Sequence, residues 1–245
     1  MRVLFLLLFS LTLLFAPAQA RANLTLIVGN NPPFNDIQNE KASGMVVSII
    51  EQLMSYAELK YRFVQYPWAR ALSTAQTETD TCIFSLARLP IREDAFIWIG
   101  PLAQNKWTFF ALRERNLTIK TLDDARKYSI GGQRKDGKVQ FLESNGFTVD
   151  LAAEEEQSMK KLYAGHIDLV AGGLFTAKLI AQSIGADPQK IKPLYIFHTA
   201  DLYLGCSKST SASHITKLKA ALQRMRSDGS LQKITDQYSA EFEQP

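Results

Sequence analysis

The sequence predicts an α/β protein of two similar lobes. Each lobe is a mostly parallel sheet flanked by helices, and a two-strand hinge joins them with the ligand cleft between. Three observations predict this class. A strand, a glycine turn, a helix, a strand, a helix and an Asp-initiated strand occur in that order twice. Extended and helical segments alternate within each unit, the pattern of parallel strands joined by covering helices. Two more strand-like segments, residues 106–112 and 200–205, follow the first and second units, where the chain has to cross between lobes.

In the first unit, residues 24–28 (Leu-Thr-Leu-Ile-Val) read as a strand stopped by Gly29, Asn30, Asn31, Pro32 and Pro33. After Gly44, the residues Val46, Ile49, Ile50 and Leu53 fall at helical spacing. Residues 61–64 form a second strand halted at Pro67, a short helix covers about 69–75, and Asp80 leads into a third strand over 81–84. The second unit starts after a candidate helix in which Thr121 and Asp124 have capping-box spacing. A strand over 128–130 is halted by Gly131 and Gly132. It is followed by a helix over 137–144, a strand over 148–151, a helix over 155–164 and, after Asp168, a strand over 169–171. The last long helix shows Ile215, Leu218, Leu222 and Met225 on one face, with Ser213 as expected N-cap. Asp228 and Gly229 end it, and a shorter helix carries Leu231, Ile234 and Tyr238. Identity between the halves is faint, so the repeat is one of topology.

The N-terminus reads as an export signal. Arg2 precedes an apolar run over 3–15, and Ala18 and Ala20 are the small residues of a cleavage site. The run is shorter than the ~20 residues that cross a bilayer. No cysteine lies near the site to take a lipid. The expected layout is a signal peptide over 1–20, a first lobe over 21–111 completed by 199–245, and a second lobe over 112–198, in a monomer released to the periplasm.

Charge and motifs narrow the function. Lys and Arg number 28 against 24 acids, and the two signs are interleaved. No basic face points to nucleic acid. His166, His198 and His214 are scattered, Cys82 and Cys206 lack zinc-site spacing, and no phosphate loop, dinucleotide fingerprint or nucleophile elbow occurs. No cofactor is expected. In an oxidising compartment the two cysteines, both in strands assigned to the first lobe, either form one disulfide or remain two buried thiols.

Five segments resemble one family in order and rough spacing: residues 24–34, Pro67-Trp68, 80–101, 162–168 and 225–234. They are similar to the family 3 extracellular solute-binding proteins, which have the type II periplasmic binding-protein fold. The resemblance covers nearly all of the chain after the signal. It implies a receptor whose lobes close over a small ligand and present it to an inner-membrane ABC permease or to a sensor. A few dehydratases share the fold, so an enzyme is the alternative class.

The resemblance also implies site residues. The family places an Arg twelve residues after the Asp that opens the third strand, and Asp80 and Arg92 keep that spacing. There the guanidinium forks onto the ligand's carboxylate. Ser85 corresponds to a ligand-bonding serine, Trp68 to an aromatic wall, and Asn31 and Phe34 to the first cleft loop. The loop at Gln133 and Arg134 opens the second lobe's first helix, whose backbone N–H groups are an expected anion site. Three departures stand out: Ala87 replaces a Ser or Thr, Arg134 and Lys135 replace a small residue, and Gly173 stands where an acid commonly binds the ligand's ammonium. Arg70 and Arg88 add charge near the expected cleft. Four arginines and no acid at 173 predict a preference for anionic ligands.

Overall fold

The computed structural model describes residues 23–38 and 41–242; the expected signal peptide lies outside the described residues. Ten strands and seven α-helices follow in chain order among those residues. The first half holds β1 (Leu24–Val28), the hairpin β2 (Asp36–Gln38) and β3 (Lys41–Ser43), α1 (Met45–Ala57), β4 (Tyr61–Gln65), α2 (Trp68–Thr77), β5 (Thr81–Ala87) and β6 (Ile97–Leu112). The second holds β7 (Ile130–Gln133), α3 (Gly137–Ser144), β8 (Asp150–Ala152), α4 (Glu155–Tyr163), β9 (Leu169–Gly173) and α5 (Thr176–Ser183). The chain ends with β10 (Ile191–Cys206), α6 (Ala212–Ser227) and α7 (Ser230–Phe242).

Both lobes are present, but their sheets are not separate. A single eight-stranded sheet runs β4-β1-β5-β10-β6-β9-β7-β8. The expected crossings at 106–112 and 200–205 are the C-terminal parts of β6 and β10, where they already pair with β9 in the second lobe and β5 in the first. The passage between lobes falls mid-strand in these two strands, each 16 residues long. These pair antiparallel from Ile191↔Leu112 to Cys206↔Ile97. At ~3.3 Å per residue such strands reach about 50 Å, enough to belong to both lobes. The outer strands stay parallel, β1 to β4 and β5 in one lobe and β7 to β8 and β9 in the other.

Helices cover both faces of each half. In the first lobe α1, α6 and α7 pack on the face that buries Leu26, Val28 and Phe84. On the other face α2 buries Ala71, Leu72 and Ala75 against Ile27, Ile83 and Phe96. In the second lobe α4 and α5 bury Met159, Leu162 and Ile180 over Phe110 and Val170. Among the described residues no helix is long and apolar enough to cross a membrane.

Local chemistry fixes the strand ends that border the cleft. Helix α1 starts without a side-chain cap: Gly44, at φ +115°, turns the chain so that the carbonyls of Pro33 and Phe34 accept the N–H groups of Met45 and Val46 at 3.1 and 2.8 Å. A Cβ at Gly44 would stand 2.7 Å from both carbonyl oxygens, so only glycine fits. Asp80 sits before β5 and accepts from the Ser211 N–H at 2.8 Å and contacts His214 Nδ1 at 3.1 Å. It therefore ties β5 to the start of α6, whose N-cap is Ser211, not Ser213. The Thr121–Asp124 pair forms as spaced, with the Thr121 N–H 3.0 Å from Asp124 Oδ2, although the helix it opens is a short 3₁₀ turn over Asp123–Lys127. Cys82 and Cys206 are directly opposed on β5 and β10 and are joined by a disulfide.

Candidate functional site

The C-terminal ends of β1, β4 and β5 in one lobe face those of β7 and β8 in the other. Between them lies a cavity of about 620 Å³, within the ~300–1,000 Å³ of small-molecule sites. Ligands of open α/β sheets bind at this end of the strands, where the chain leaves each strand and its loops converge.

Arg92 is at the floor of this cavity. Pro90 opens the 3₁₀ turn Pro90–Ala95, and the Arg92 N–H closes it onto Leu89 O at 2.8 Å. The side chain is 3% exposed. Its Nη2 donates to Lys135 O at 2.7 Å and its Nη1 to Ala87 O at 3.3 Å, while its Nε is buried without a hydrogen-bond partner. Burial lowers the guanidinium's pKa to about 10, with Asp136 opposing the shift. It stays charged at neutral pH, but without close ion pairing. A carboxylate is the group that relieves such a site.

Ser85 reaches the same cavity through a bulge. Strand β5 spends one residue more than β10 between the pairs Ile83↔Gly205 and Leu86↔Tyr203. Ser85 takes up the extra residue at φ +54°, a left-handed conformation rare for a serine. Its Oγ is buried and unpartnered. Strain held at a cleft-facing polar residue points to a binding role.

The other expected residues divide. Asn31, Trp68 and Gln133 line the cavity with Arg92 and Ser85. Trp68 Nε1 donates to Lys135 O at 3.0 Å, and Asn31 Oδ1 accepts from Thr176 Oγ1 at 3.2 Å. Both bonds join one lobe to the other. Phe34, in contrast, is 1% exposed within the core against α1, because the turn that caps α1 points its ring inward. Arg70 lies exposed on α2 with its guanidinium 4.3 Å from the Tyr66 ring centroid. Arg88 forks onto Glu93 and stacks over Trp98 and Tyr203, away from the cleft. Arg134 is exposed and outside the cavity wall. Gly173 is buried and does not line the cavity: a Cβ there would stand 2.9 Å from Asn105 Oδ1 and from Thr176 Oγ1, so an acid would have to displace both side chains. The four-arginine cluster behind the anionic preference therefore reduces to Arg92. The expected anion site at the start of α3 is also altered, since the Asp136 side chain already accepts the Lys138 N–H at 2.7 Å.

The second lobe brings residues that the sequence reading passed over. Lys138 is 4% exposed, with Nζ 3.2 Å from Asp136 and 3.4 Å from Glu155. Burial alone would lower its ammonium, but the two carboxylates outweigh that and hold it above the ordinary lysine range. Burial raises the Glu155 carboxyl, with Lys138 opposing. Beside this group, at the N-terminal end of α4, Glu154 accepts from Gln133 Nε2 at 3.0 Å and Glu156 from Asn30 Nδ2 at 3.2 Å. Burial, then the neighbouring Glu156, raises Glu154. The signal in the sequence was the acidic triplet 154–156 directly after a short strand. Asn35, Asn105 and Trp107 complete the wall. Among the described residues no group of three His, Cys, Asp or Glu side chains is placed to hold a metal.

The fold and the cleft define a two-lobed solute-binding protein. The chain belongs to the bacterial extracellular solute-binding proteins, family 3, whose model matches residues 24–241. Comparison with curated proteins gives no match. Among solved structures it is similar to a histidine kinase sensor domain with similarity to periplasmic binding proteins, at TM-score 0.77 and 15% identity over 88% of this chain and 95% of that one. It is also similar to the arginine-, lysine-, histidine-binding protein ArtJ of Geobacillus stearothermophilus, at TM-score 0.74 and 15% identity over 88% and 94%. A third is an ABC uptake transporter substrate-binding protein from Streptococcus pneumoniae with bound histidine, at TM-score 0.74 and 13% identity over 88% and 91%. At these identities the likeness is one of fold.

Proposed function

We propose that this chain is a periplasmic receptor that closes over a small, carboxylate-bearing, amino-acid-like ligand and delivers it, unreacted, to an inner-membrane ABC importer. Residues 1–20 direct export. The chain up to the middle of β6, with the segment after the middle of β10, makes one lobe and the stretch between them the other, with β6 and β10 as the hinge. Arg92 anchors the carboxylate, and Ser85, Asn31, Trp68 and Gln133 contact the ligand.

One observation carries this reading: Arg92 Nε and Ser85 Oγ are buried, without hydrogen-bond partners and on the wall of the same cavity. Buried polar groups are normally paired. A ligand carboxylate supplies acceptors to both. A thermal-shift screen over amino acids and organic acids tests it. A ligand at 100 times its Kd adds about 2.7 kcal/mol of stability. The reading requires at least one carboxylate ligand to raise Tm and to be recovered unchanged after incubation; recovery of a converted product replaces it with an enzyme.

A sensory role is the second reading, favoured by the similarity to a histidine kinase sensor domain. In that case the ligand-bound lobes signal to a membrane kinase. Uptake of the ligand by cells lacking this protein decides between the two.

A further inference from the structure

We propose that the cleft selects ligands whose second charged group is a cation, with Glu154 and Glu156 as the specificity-determining residues; this rests on the carboxylate reading above. The ligand class is a carboxylate joined to an ammonium or guanidinium beyond the α-amino group, as in a basic amino acid.

The first argument is the charge of the wall. Its charged side chains are Arg92 and Lys138 against Asp136, Glu154, Glu155 and Glu156. Lys138 is ion-paired to Asp136 and Glu155 at 3.2 and 3.4 Å. Glu154 and Glu156 are hydrogen-bonded only to neutral amides, those of Gln133 and Asn30. The excess negative charge therefore collects at the start of α4, across the cavity wall from Arg92's lobe. A helix N-terminus tolerates carboxylates well, so the acids by themselves prove nothing about a ligand.

The second argument is independent and concerns hydrogen-bond supply. Three buried acceptors on the same wall lack donors: Asn35 Oδ1, Asn105 Oδ1 and Glu155 Oε1, the last with only its ion-pair contact to Lys138. Their residues are 1%, 3% and 7% exposed. The orientation of the Asn35 amide is fixed, because its Nδ2 donates to Gly29 O. A dicarboxylate brings only acceptors and leaves these oxygens unpaired, which is costly. An ammonium or guanidinium brings three to five donors and positive charge to an acidic wall.

The test is calorimetry on the full-length mature protein with L-arginine, L-lysine, L-norleucine and L-glutamate. Norleucine keeps lysine's α-groups and chain but lacks its terminal ammonium. The expected result is that arginine or lysine binds at least about tenfold tighter than norleucine and glutamate, in line with one charge-assisted contact. Glu154→Gln combined with Glu156→Gln removes that advantage, bringing arginine and lysine down to the affinity of norleucine for the same variant, with melting curves confirming the fold. Glutamate or norleucine binding as tightly as the cations overturns the proposal. So does discrimination that survives the double substitution, or no binding of any of the four. The carboxylate reading falls separately, when Arg92→Ala leaves the affinity of whichever carboxylate binds unchanged.

Discussion

Arg92 and Trp68 converge on one atom. The Lys135 carbonyl oxygen accepts from Arg92 Nη2 at 2.7 Å and from Trp68 Nε1 at 3.0 Å. Lys135 holds this position at φ +62°, in the left-handed region. Two cleft residues of the first lobe thus find their hydrogen-bond partner on the second. When the lobes part, both donors lose it, so the closed arrangement has its own polar reward besides the ligand.

Arg92→Ala is expected to weaken carboxylate binding by at least about a hundredfold. Charge-assisted hydrogen bonds contribute ~1.5–3 kcal/mol each, and a forked contact makes two. Isothermal calorimetry reads the loss, and an unchanged circular dichroism spectrum shows that the fold persists.

Lys138→Met is expected to destabilise the protein by about 3 kcal/mol, because Glu155 is left buried without its cation and the half-buried Asp136 loses its ion pair. Adding Glu155→Gln should recover part of that loss. The Lys138 ammonium is held above the ordinary lysine range. Its contribution is therefore complete below the unfolded value of ~10.4 and fades as pH rises through the folded value. Urea melts from pH 8 upward should show this alkaline loss in the wild type and not in Lys138→Met.

Acid should weaken binding of a cationic ligand. Glu154 is raised by burial and then by Glu156, with the Gln133 hydrogen bond opposing. Asp136, Glu155, Lys138 and Arg92 are the other charged groups on the wall. Attraction needs the ionised carboxylate, so affinity is expected to fall on acidification from a pH above the ~4.3 of a free glutamate. Glu154→Gln should flatten the profile, and titrations between pH 4 and 8 measure both curves.

The Cys82–Cys206 bridge closes a sequence separation of 124 residues within one lobe. Replacing both cysteines by serine is expected to cost about 2–5 kcal/mol, a Tm drop of roughly 5–15 °C for a chain of this size. Thiol titration of denatured, unreduced protein should count none. Ligand affinity should hold, because neither residue lies on the cavity wall.

By itself the sequence determined the two-lobed class and most elements, since periodicities of 3.6 and 2 are local properties; the stop expected at Gly131 and Gly132 was not one, because both glycines lie inside β7. Helix α3 starts and ends where the spacing predicted, at Gly137 and Ser144, and α4 starts at Glu155 as expected. Arg92's place on the cavity wall was legible through the family resemblance, in which an Arg lies twelve residues after the Asp of the third strand. The sheet's continuity was not legible: the pairing of β6 with β10 joins residues about a hundred positions apart, and no local pattern states which strand lies beside which. Direction of side chains was also decided only in three dimensions. Arg88 and Arg92 are four residues apart, yet the turn at Pro90 sends one outward to Glu93 and the other into the cleft. Gly173 lost its expected role to Asn105 and Thr176, which fill the space an acid would need. The acidic wall at 154–156 depended on β8 being the outer partner of β7, which places the start of α4 beside that of α3. Charge counted along a chain gives the balance of the whole protein; only the packed sheet decides which charges share a cavity.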